Sequence, residues 1–370
     1  MAPRTSPPFR ADMVGSLLRT KPLKEAREKL AKGEITKAAL TEVEDREIKA
    51  LIKKQEAIGL TAVTDGEFRR SWWHYDFLGL LEGVKLIEVD TGIKFAGVTT
   101  KAEAPHVQGK LGFGKHPFIE HFKFVKANAS AGHVAKMTIP SPSMLHYRGG
   151  RKLIDQKAYP TMEAFYADLG DAYAKAVQAF YDAGCRYLQL DDVSFAYLCD
   201  PNQLKMLAER GDDPKKQPQI YADMVNRAIK GRPKDMAVTM HICRGNFRST
   251  FVASGGYEPV ADLLFNGIEL DGYFMEWDNE RSGGFEPLRF LPKGHKNVVL
   301  GLVTSKTGTL EKPDDLRRRI DEAAKYAPLE QLCLSPQCGF ASTEEGNTLA
   351  EDEQWKKLEM IVDVSRKVWG

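Results

Sequence analysis

The tripeptide His241-Ile242-Cys243 sets an imidazole and a thiol two positions apart at the end of a short apolar run. Side chains two apart on an extended segment point the same way, so the two groups can face one ligand. A second lone cysteine, Cys338, stands in the turn-like Ser335-Pro336-Gln337-Cys338-Gly339. Thiolate sulfur and imidazole nitrogen suit Zn²⁺, with a carboxylate as a further donor. Ligands scattered along the chain, rather than gathered in one local knuckle, point to a working metal and so to an enzyme. Other reactive residues recur in the same setting. Gly15-Ser16, Asp65-Gly66-Glu67, Asp191-Asp192 and Glu276 each follow an apolar run.

The elements that must position these groups alternate in type. Apolar runs at 13–15, 60–64, 134–139, 186–190, 236–240, 272–275, 297–300 and 331–334 read as eight strands. Amphipathic or Ala-rich stretches at 36–58, 161–183, 219–230, 313–326 and 352–369 read as helices. Pro313 ahead of Asp314-Asp315 marks one helix start, and Gly184 marks one helix end. Strands separated by helices predict an α/β chain folded as a (β/α)8 TIM barrel, with a doubly wound open sheet as the rival. Barrel chemistry sits at the C-terminal ends of the strands and in the loops that follow. The reactive residues fall there repeatedly, so barrel and site support each other.

Two regions break the rhythm. Residues 84–128 hold short β-like pieces and turn residues (Thr91-Gly92, Gly109, Gly112, Gly114), which predicts an insertion between strands 2 and 3. Residues 1–11, with three prolines, read as a flexible arm. No linker divides the rest, so residues 1–370 are expected to form a single domain.

Composition excludes several classes. With 370 residues, 42% of them hydrophobic, the chain can bury a large core, and a barrel of ~250 residues plus insertions fits that length. Basic residues number 53 and acidic ones 51, well mixed, for a net charge of +2. Neither nucleic acid nor a membrane surface is indicated as a partner. No apolar run approaches the ~18 residues of a spanning helix, and the first residues lack the apolar core of a signal peptide. Five cysteines without framework spacing fit a reducing compartment, so a cytoplasmic location is expected.

Taken together, Val14-Gly15-Ser16, Asp65-Gly66-Glu67-Phe68, Gln189-Leu190-Asp191, His241-Ile242-Cys243, Phe274-Met275-Glu276 and Ser335-Pro336-Gln337-Cys338-Gly339 support a family resemblance over almost the whole chain. The chain resembles the catalytic C-terminal half of cobalamin-independent methionine synthase, in its short single-barrel relatives. The resemblance implies Zn²⁺ bound by His241, Cys243, Glu276 and Cys338. It also implies an amino-acid thiol held by Ser16, Glu67 and Asp191, with Glu67 and Asp191 as the catalytic carboxylates. The activity implied is methyl transfer to homocysteine, giving methionine. The partners are then a small-molecule thiol and a methyl donor, with a homo-oligomer or a methyl-donor partner protein left open.

The chemistry agrees with that reading. A thiol of pKa ~8.5 is mostly protonated at neutral pH, and only the thiolate is a nucleophile. Zinc deprotonates a coordinating thiol. Two cysteine thiolates already offset the metal's charge, so a substrate thiolate would leave a net negative shell and keep its nucleophilicity. Glu276, the least sulfur-like ligand, is the one suited to yield. Strand alternation would also let Asp278 face the metal. Cys185, Cys199 and Cys333 read as small buried hydrophobes.

Other features stay open on sequence. Trp72-Trp73-His74-Tyr75 could stack on a flat heterocycle or pack a loop core. Arg244, Arg248 and Arg281 could receive an anion or simply be solvated. The chain departs from the family pattern in having no additional N-terminal barrel and in placing 303–306, with Lys306, where a catalytic histidine is expected. The acidic position after the Asp191 motif is aromatic, near Tyr197, and the spacer from Cys243 to Glu276 is longer. The methyl donor is therefore open among folate, corrinoid and sulfonium. Competing readings are alkyl transfer to another thiol, similar to epoxyalkane–coenzyme M transferases, a metal-free decarboxylase resembling uroporphyrinogen decarboxylase, and a barrel with structural zinc and a binding role.

Overall fold

A computed structural model of the chain describes residues 4–90, 92–95, 98–100 and 102–370. Residues 1–3 of the expected arm and Thr91 of the expected turn lie outside these. Seven parallel strands form one sheet in chain order: β1 (Ala62–Val63), β2 (Val134–Pro140), β3 (Tyr187–Asp192), β4 (Ala237–Ile242), β5 (Gly272–Glu276), β6 (Asn297–Val303) and β7 (Leu332–Pro336). Their residues are buried almost throughout, as parallel strands are when helices cover one face and a barrel interior the other. The covering helices are α1 (Lys37–Ala57), α2 (Pro117–Asn128), α3 (Met162–Asp182), α4 (Gln217–Ile229), α5 (Glu258–Gly267), α6 (Pro313–Ala323) and α7 (Glu351–Trp369). Thr36 caps α1 by accepting from the Ala39 N–H, and α3 stops at Gly184, whose φ of +93° favours glycine.

The expected first strand makes no ladder, yet its slot in the barrel is filled. On one side Leu334 N–H donates to Arg10 O at 2.9 Å and Asp12 N–H to Leu334 O at 3.0 Å. On the other, Thr64 Oγ1 donates to Gly15 O at 2.7 Å and Leu17 N–H to Gly66 O at 3.0 Å. Between these contacts Gly15, with φ +145°, turns the chain out of strand geometry. The freed Val14 carbonyl is satisfied inside the barrel by Gln189 Nε2 at 2.7 Å. The segment thus closes a (β/α)8 barrel as irregular chain.

Within the expected arm, Thr5 and Ser6 are exposed while Pro8 and Phe9 are buried. Phe9 is buried against Tyr187, Phe274 and Val299 at the N-terminal end of the barrel. Beside it lies a fully buried ion pair, Lys136 with Asp12 at 3.2 Å. Asp12 also accepts from Phe9 N–H at 3.0 Å and Tyr187 O–H at 2.8 Å, and Lys136 donates to Met13 O. A buried pair is tolerated when its remaining hydrogen-bonding capacity is met in this way.

The insertion is narrower than the sequence suggests. Its centre is an antiparallel ribbon of Glu82–Glu88 with Glu103–Gly112. The remainder, from Pro117, is α2, a regular barrel helix that packs on β2 and α1.

Candidate metal centre and thiol cleft

Strand register brings the reactive residues to one end of the barrel. Asp191 at the end of β3 is paired across the ladder with His241 of β4, and β5 ends on Glu276. Cys243 lies just past β4, where its N–H donates to Asp192 O at 2.7 Å and continues the ladder by one step. Tyr257 ties the neighbouring strand ends together, with its hydroxyl accepting from Glu276 N–H at 2.9 Å and donating to Ile242 O at 3.4 Å. Cys338 follows β7, held by Gln337 N–H donating to Val303 O at 2.7 Å.

One ligand atom from each of His241, Cys243, Glu276 and Cys338 lies within 4.8 Å of the others, and all four residues are buried. The Cys243 and Cys338 sulfurs are 3.5 Å apart. That is far beyond a disulfide bond of ~2.05 Å and close to the ~3.8 Å that two Zn–S bonds of about 2.3 Å subtend at a tetrahedral metal. Neither ring nitrogen of buried His241 has a hydrogen-bond partner. Such an orphan costs about 1–3 kcal/mol unless a ligand takes it. This donor set fits zinc.

The electrostatics favour an anionic centre. The Cys243 thiol, donating to Cys338, holds Cys338 well below the usual thiol range, while the same contact and burial push Cys243 up. Cys243 Sγ also accepts from Gly245 N–H at 3.3 Å. Burial pushes the Glu276 carboxyl up, but Arg281 and Lys306 outweigh it and hold the group below its ordinary value. Both Glu276 oxygens are engaged: Oε1 by Arg244 N–H at 2.7 Å and Oε2 by Arg281 Nη2 at 3.0 Å. Asp278 instead turns to Arg281 at 3.3 Å and stands outside the ligand group.

Ser16, Glu67 and Asp191 line one narrow cleft with His241, Cys243 and Cys338. Its ≈ 20 Å³ is room for about one water molecule. The Cys338 loop lies directly on Ser16, whose carbonyl accepts from Phe340 N–H at 3.0 Å. A Cβ at Gly339 would stand 1.9 Å from Ser16 Oγ, so only glycine permits that approach. Glu67 is a non-glycine residue at φ +61°, a conformation kept where its surroundings enforce it. Its N–H is taken by Asp65 Oδ1 at 2.8 Å, and its Oε1 accepts from Thr138 Oγ1 at 3.0 Å and faces Arg70 at 3.4 Å. Glu67 Oε2 is buried with no partner. Burial raises the Glu67 carboxyl against the pull of Arg70 and Arg19. Burial likewise pushes Asp191 up to about 7, opposed by His241 and reinforced by Glu67. Two crowded carboxylates at the edge of a metal-ligand group make a good seat for an ammonium.

The other sequence features resolve individually. Asp192, next to Asp191, is a loop anchor that accepts from the Ser141, Ser143 and Ser194 hydroxyls and from Phe195 N–H at 2.9 Å. The helix start after it belongs to Asp200. Trp72 stacks with both Tyr75 and Phe247, while Trp73 lines the cleft. Arg244 and Arg281 are withdrawn from solvent rather than solvated. Arg244 is buried with its guanidinium 4.3 Å from the Tyr257 ring centroid, and Arg281 grips Glu276 and Asp278. Arg248 is exposed. Burial pushes Cys185 and Cys199 up to about 12 and Cys333 up to about 11, as inert thiols require.

One pair escaped the sequence reading. Lys306 Nζ donates to Asn246 Oδ1 at 3.0 Å and to Thr250 O at 3.2 Å. Asn246 Nδ2 in turn donates to Gly339 O at 2.8 Å, which links the two cysteine loops.

A family model described as the catalytic domain of cobalamin-independent synthase matches residues 9–367. The Bacillus subtilis protein YxjH is 52% identical over 363 residues, covering 98% of this chain and 95% of its own length. A Listeria monocytogenes structure described as a candidate vitamin-B12-independent methionine synthase is 46% identical, with a TM-score of 0.81 and 99% coverage of both chains. A B12-independent methionine synthase from Shewanella, solved with selenomethionine, shares the fold at TM-score 0.70 and 18% identity, covering 97% of each chain.

Proposed function

We propose, from the premise that this chain belongs to the cobalamin-independent methionine synthase family, that its methyltransferase activity is directed to the sulfur of homocysteine and yields methionine. In this reading the whole chain acts as one cytoplasmic catalytic domain, with Zn²⁺ held by His241, Cys243, Glu276 and Cys338. Among the described residues no helix is long and apolar enough to cross a membrane. The observation that carries the reading is the cleft in which Ser16, Glu67 and Asp191 meet three of those four ligands.

Zinc bound there would keep a substrate thiol deprotonated at neutral pH. The residues of the chain supply the rest. Glu67 and Asp191 receive the substrate ammonium, which favours their ionised forms and fixes the sulfur's direction. Ser16 and the backbone beside it receive the carboxylate. Glu276 suits the part of a yielding ligand, because Arg244 N–H and Arg281 keep its two oxygens bonded. Transfer forms a C–S bond as the bond from methyl to donor breaks. The electron pair leaves on the donor atom; the proton lost from the thiol passes to that atom where the donor is an amine, and to solvent where it is a sulfonium or a corrinoid.

The test is X-ray absorption of the zinc-loaded protein with and without homocysteine, paired with mass spectrometry of methionine. An added sulfur in the metal shell and methionine formation support the reading. An unchanged shell would mark a structural metal, and turnover with other thiols alone would move the chain to the alkyl-transfer class.

A further inference from the structure

Along β3, Tyr187, Gln189 and Asp191 share one face, because strand side chains alternate with period two. The irregular segment from Asp12 to Ser16 meets that face at the same spacing. Tyr187 O–H donates to Asp12 Oδ2 at 2.8 Å, and Gln189 Nε2 donates to Val14 O at 2.7 Å. These are two rungs of a ladder inside the barrel, the second lying two residues further along both chains. The next step would pair Asp191 with Ser16. Both line the thiol cleft, yet no hydrogen bond joins them among the described residues. Ser16 Oγ instead accepts from Ala341 N–H at 3.4 Å.

Gln189 bears on both sides of this open rung. The Nε2 that donates to Val14 O also donates to Asp191 Oδ1 at 2.7 Å. A carbonyl and a carboxylate oxygen are both acceptors, so the amide nitrogen must face them and spends one N–H on each. One side chain thereby ties the carboxylate at the end of β3 to the backbone two residues before Ser16. Asp191 is left with Oδ1 fixed and with Oδ2 unbonded among the described residues, on a side chain that lines the cleft. Gln189 is fully buried, and its Oε1 has no partner. A buried acceptor left unsatisfied lowers stability, so the two N–H contacts, not the oxygen, account for an amide at this place.

An α-amino acid carries its ammonium and its carboxylate on one carbon, at a fixed separation. The ammonium suits Asp191 Oδ2, and the carboxylate suits Ser16 and the backbone beside it. We propose that Gln189 is a positioning residue that sets the separation between these two ends of the seat, so that the cleft selects thiols bearing both groups on the same carbon. The substrate's α-carbon then completes the ladder as its third rung. This role rests on the amino-acid-thiol reading above.

The experiment is calorimetric titration of zinc-loaded protein with three thiols. These are homocysteine, 4-mercaptobutyrate, which lacks the ammonium, and 3-mercaptopropylamine, which lacks the carboxylate. Wild-type protein should bind homocysteine at least about tenfold more tightly than either analogue. Gln189→Met keeps the side-chain volume and removes both donors. It should weaken homocysteine roughly tenfold or more and each analogue by less than about threefold, because a thiol with one charged group needs only one end of the seat. Zinc content should be unaltered. In Asp191→Ala, where one end is already missing, adding Gln189→Met should change homocysteine affinity by less than about threefold. Should Gln189→Met lose the circular dichroism of the barrel, Gln189→Asn carries the test, since its amide is one methylene too short to hold both partners. Equal weakening of all three thiols, or weakening of 3-mercaptopropylamine as large as that of homocysteine, overturns the proposal. So does a wild-type preference for homocysteine that the variants retain. Wild-type protein that binds the three thiols alike would reject the amino-acid reading of the cleft itself, and the role of Gln189 with it.

Discussion

The sulfurs of Cys243 and Cys338 lie 3.5 Å apart across 95 residues of chain, one after β4 and the other after β7. Replacing either thiolate by a hydroxyl removes a soft ligand and its charge. Cys243→Ser and Cys338→Ser should each lose zinc and all thiol alkylation while keeping the circular dichroism of the barrel. Cys333→Ser, in the apolar cluster at the other end of the barrel, should keep its metal. Full zinc occupancy with normal turnover in either ligand variant would reject the assignment.

Selection for an amino-acid thiol should rest on the carboxylates. Asp191→Asn should weaken homocysteine binding by roughly tenfold to a hundredfold, the value of a charge-assisted contact of about 1.5–3 kcal/mol. Zinc affinity should change far less. Wild-type protein that binds homocysteine and 3-mercaptopropionate equally well would count against this role.

The ion pair of Lys136 and Asp12 gives a stability prediction at the opposite end of the barrel. Both side chains are fully buried, so removing one leaves a charge uncompensated. Asp12→Ala should destabilise the fold by about 3–5 kcal/mol. Replacing both, as Asp12→Leu with Lys136→Met, should recover much of that loss in denaturant unfolding. A double variant no more stable than the single one would show that the hydrogen bonds to Phe9 and Tyr187, not the charge balance, matter most.

Much of this was legible in the sequence, for identifiable reasons. His241 and Cys243 betray themselves by the period of two in a strand, and buried parallel strands appear as continuous apolar runs. The run at 13–15 looks the same, but Gly15 turns the chain there, and the barrel closes through a few backbone bonds at Arg10, Asp12 and Leu17 and the Thr64 hydroxyl to Gly15. Helix α2 hides because its PFIEHFKFVKAN is aromatic-rich and follows strand-like pieces, although Pro117 marks its start. Arg244 reads as a surface cation because its partner ring, Tyr257, comes from a later loop. Lys306 and Asn246 stand 60 residues apart, and neither residue type signals the other.

Acid should loosen the barrel through its buried imidazoles. Burial holds His116 and His146 down at about 4, against ~6.5 in an unfolded chain. Their contribution is present in full above about pH 6.5. It is lost as pH falls toward about 4, because the unfolded chain then binds protons that the folded one refuses. The loss is ~1.4 kcal/mol per pH unit for each histidine. Asp191 and Glu67, whose carboxyls are raised, act in the opposite sense. The histidine part is therefore read as a difference: unfolding free energies between about pH 7 and 4.5 should fall less steeply in His146→Gln than in wild type. Parallel curves would remove His146 from this account.

Lys306 occupies the loop after β6 where the family resemblance leads one to expect a histidine, and its contacts suggest a positioning role. Its ammonium holds Asn246 from the Cys243 side, and Asn246 holds Gly339 O beside Cys338, so the chain Lys306–Asn246–Gly339 spans the two sulfurs. Lys306 also lowers the carboxyl of Glu276 and the thiol of Cys243 by its charge. Loss of this clamp should loosen the metal site without touching a ligand. Lys306→Met is expected to weaken zinc about tenfold in chelator competition, and Lys306→Arg, which keeps charge and donors, should restore most of it. Asn246→Ala should have an effect of similar size. Because both residues act through one chain of contacts, the double variant should be little worse than either single one. Fully additive losses, or unchanged zinc affinity in Lys306→Met, would mean that the two loops are held together by other contacts, and would return Lys306 to consideration as a proton donor to the leaving group.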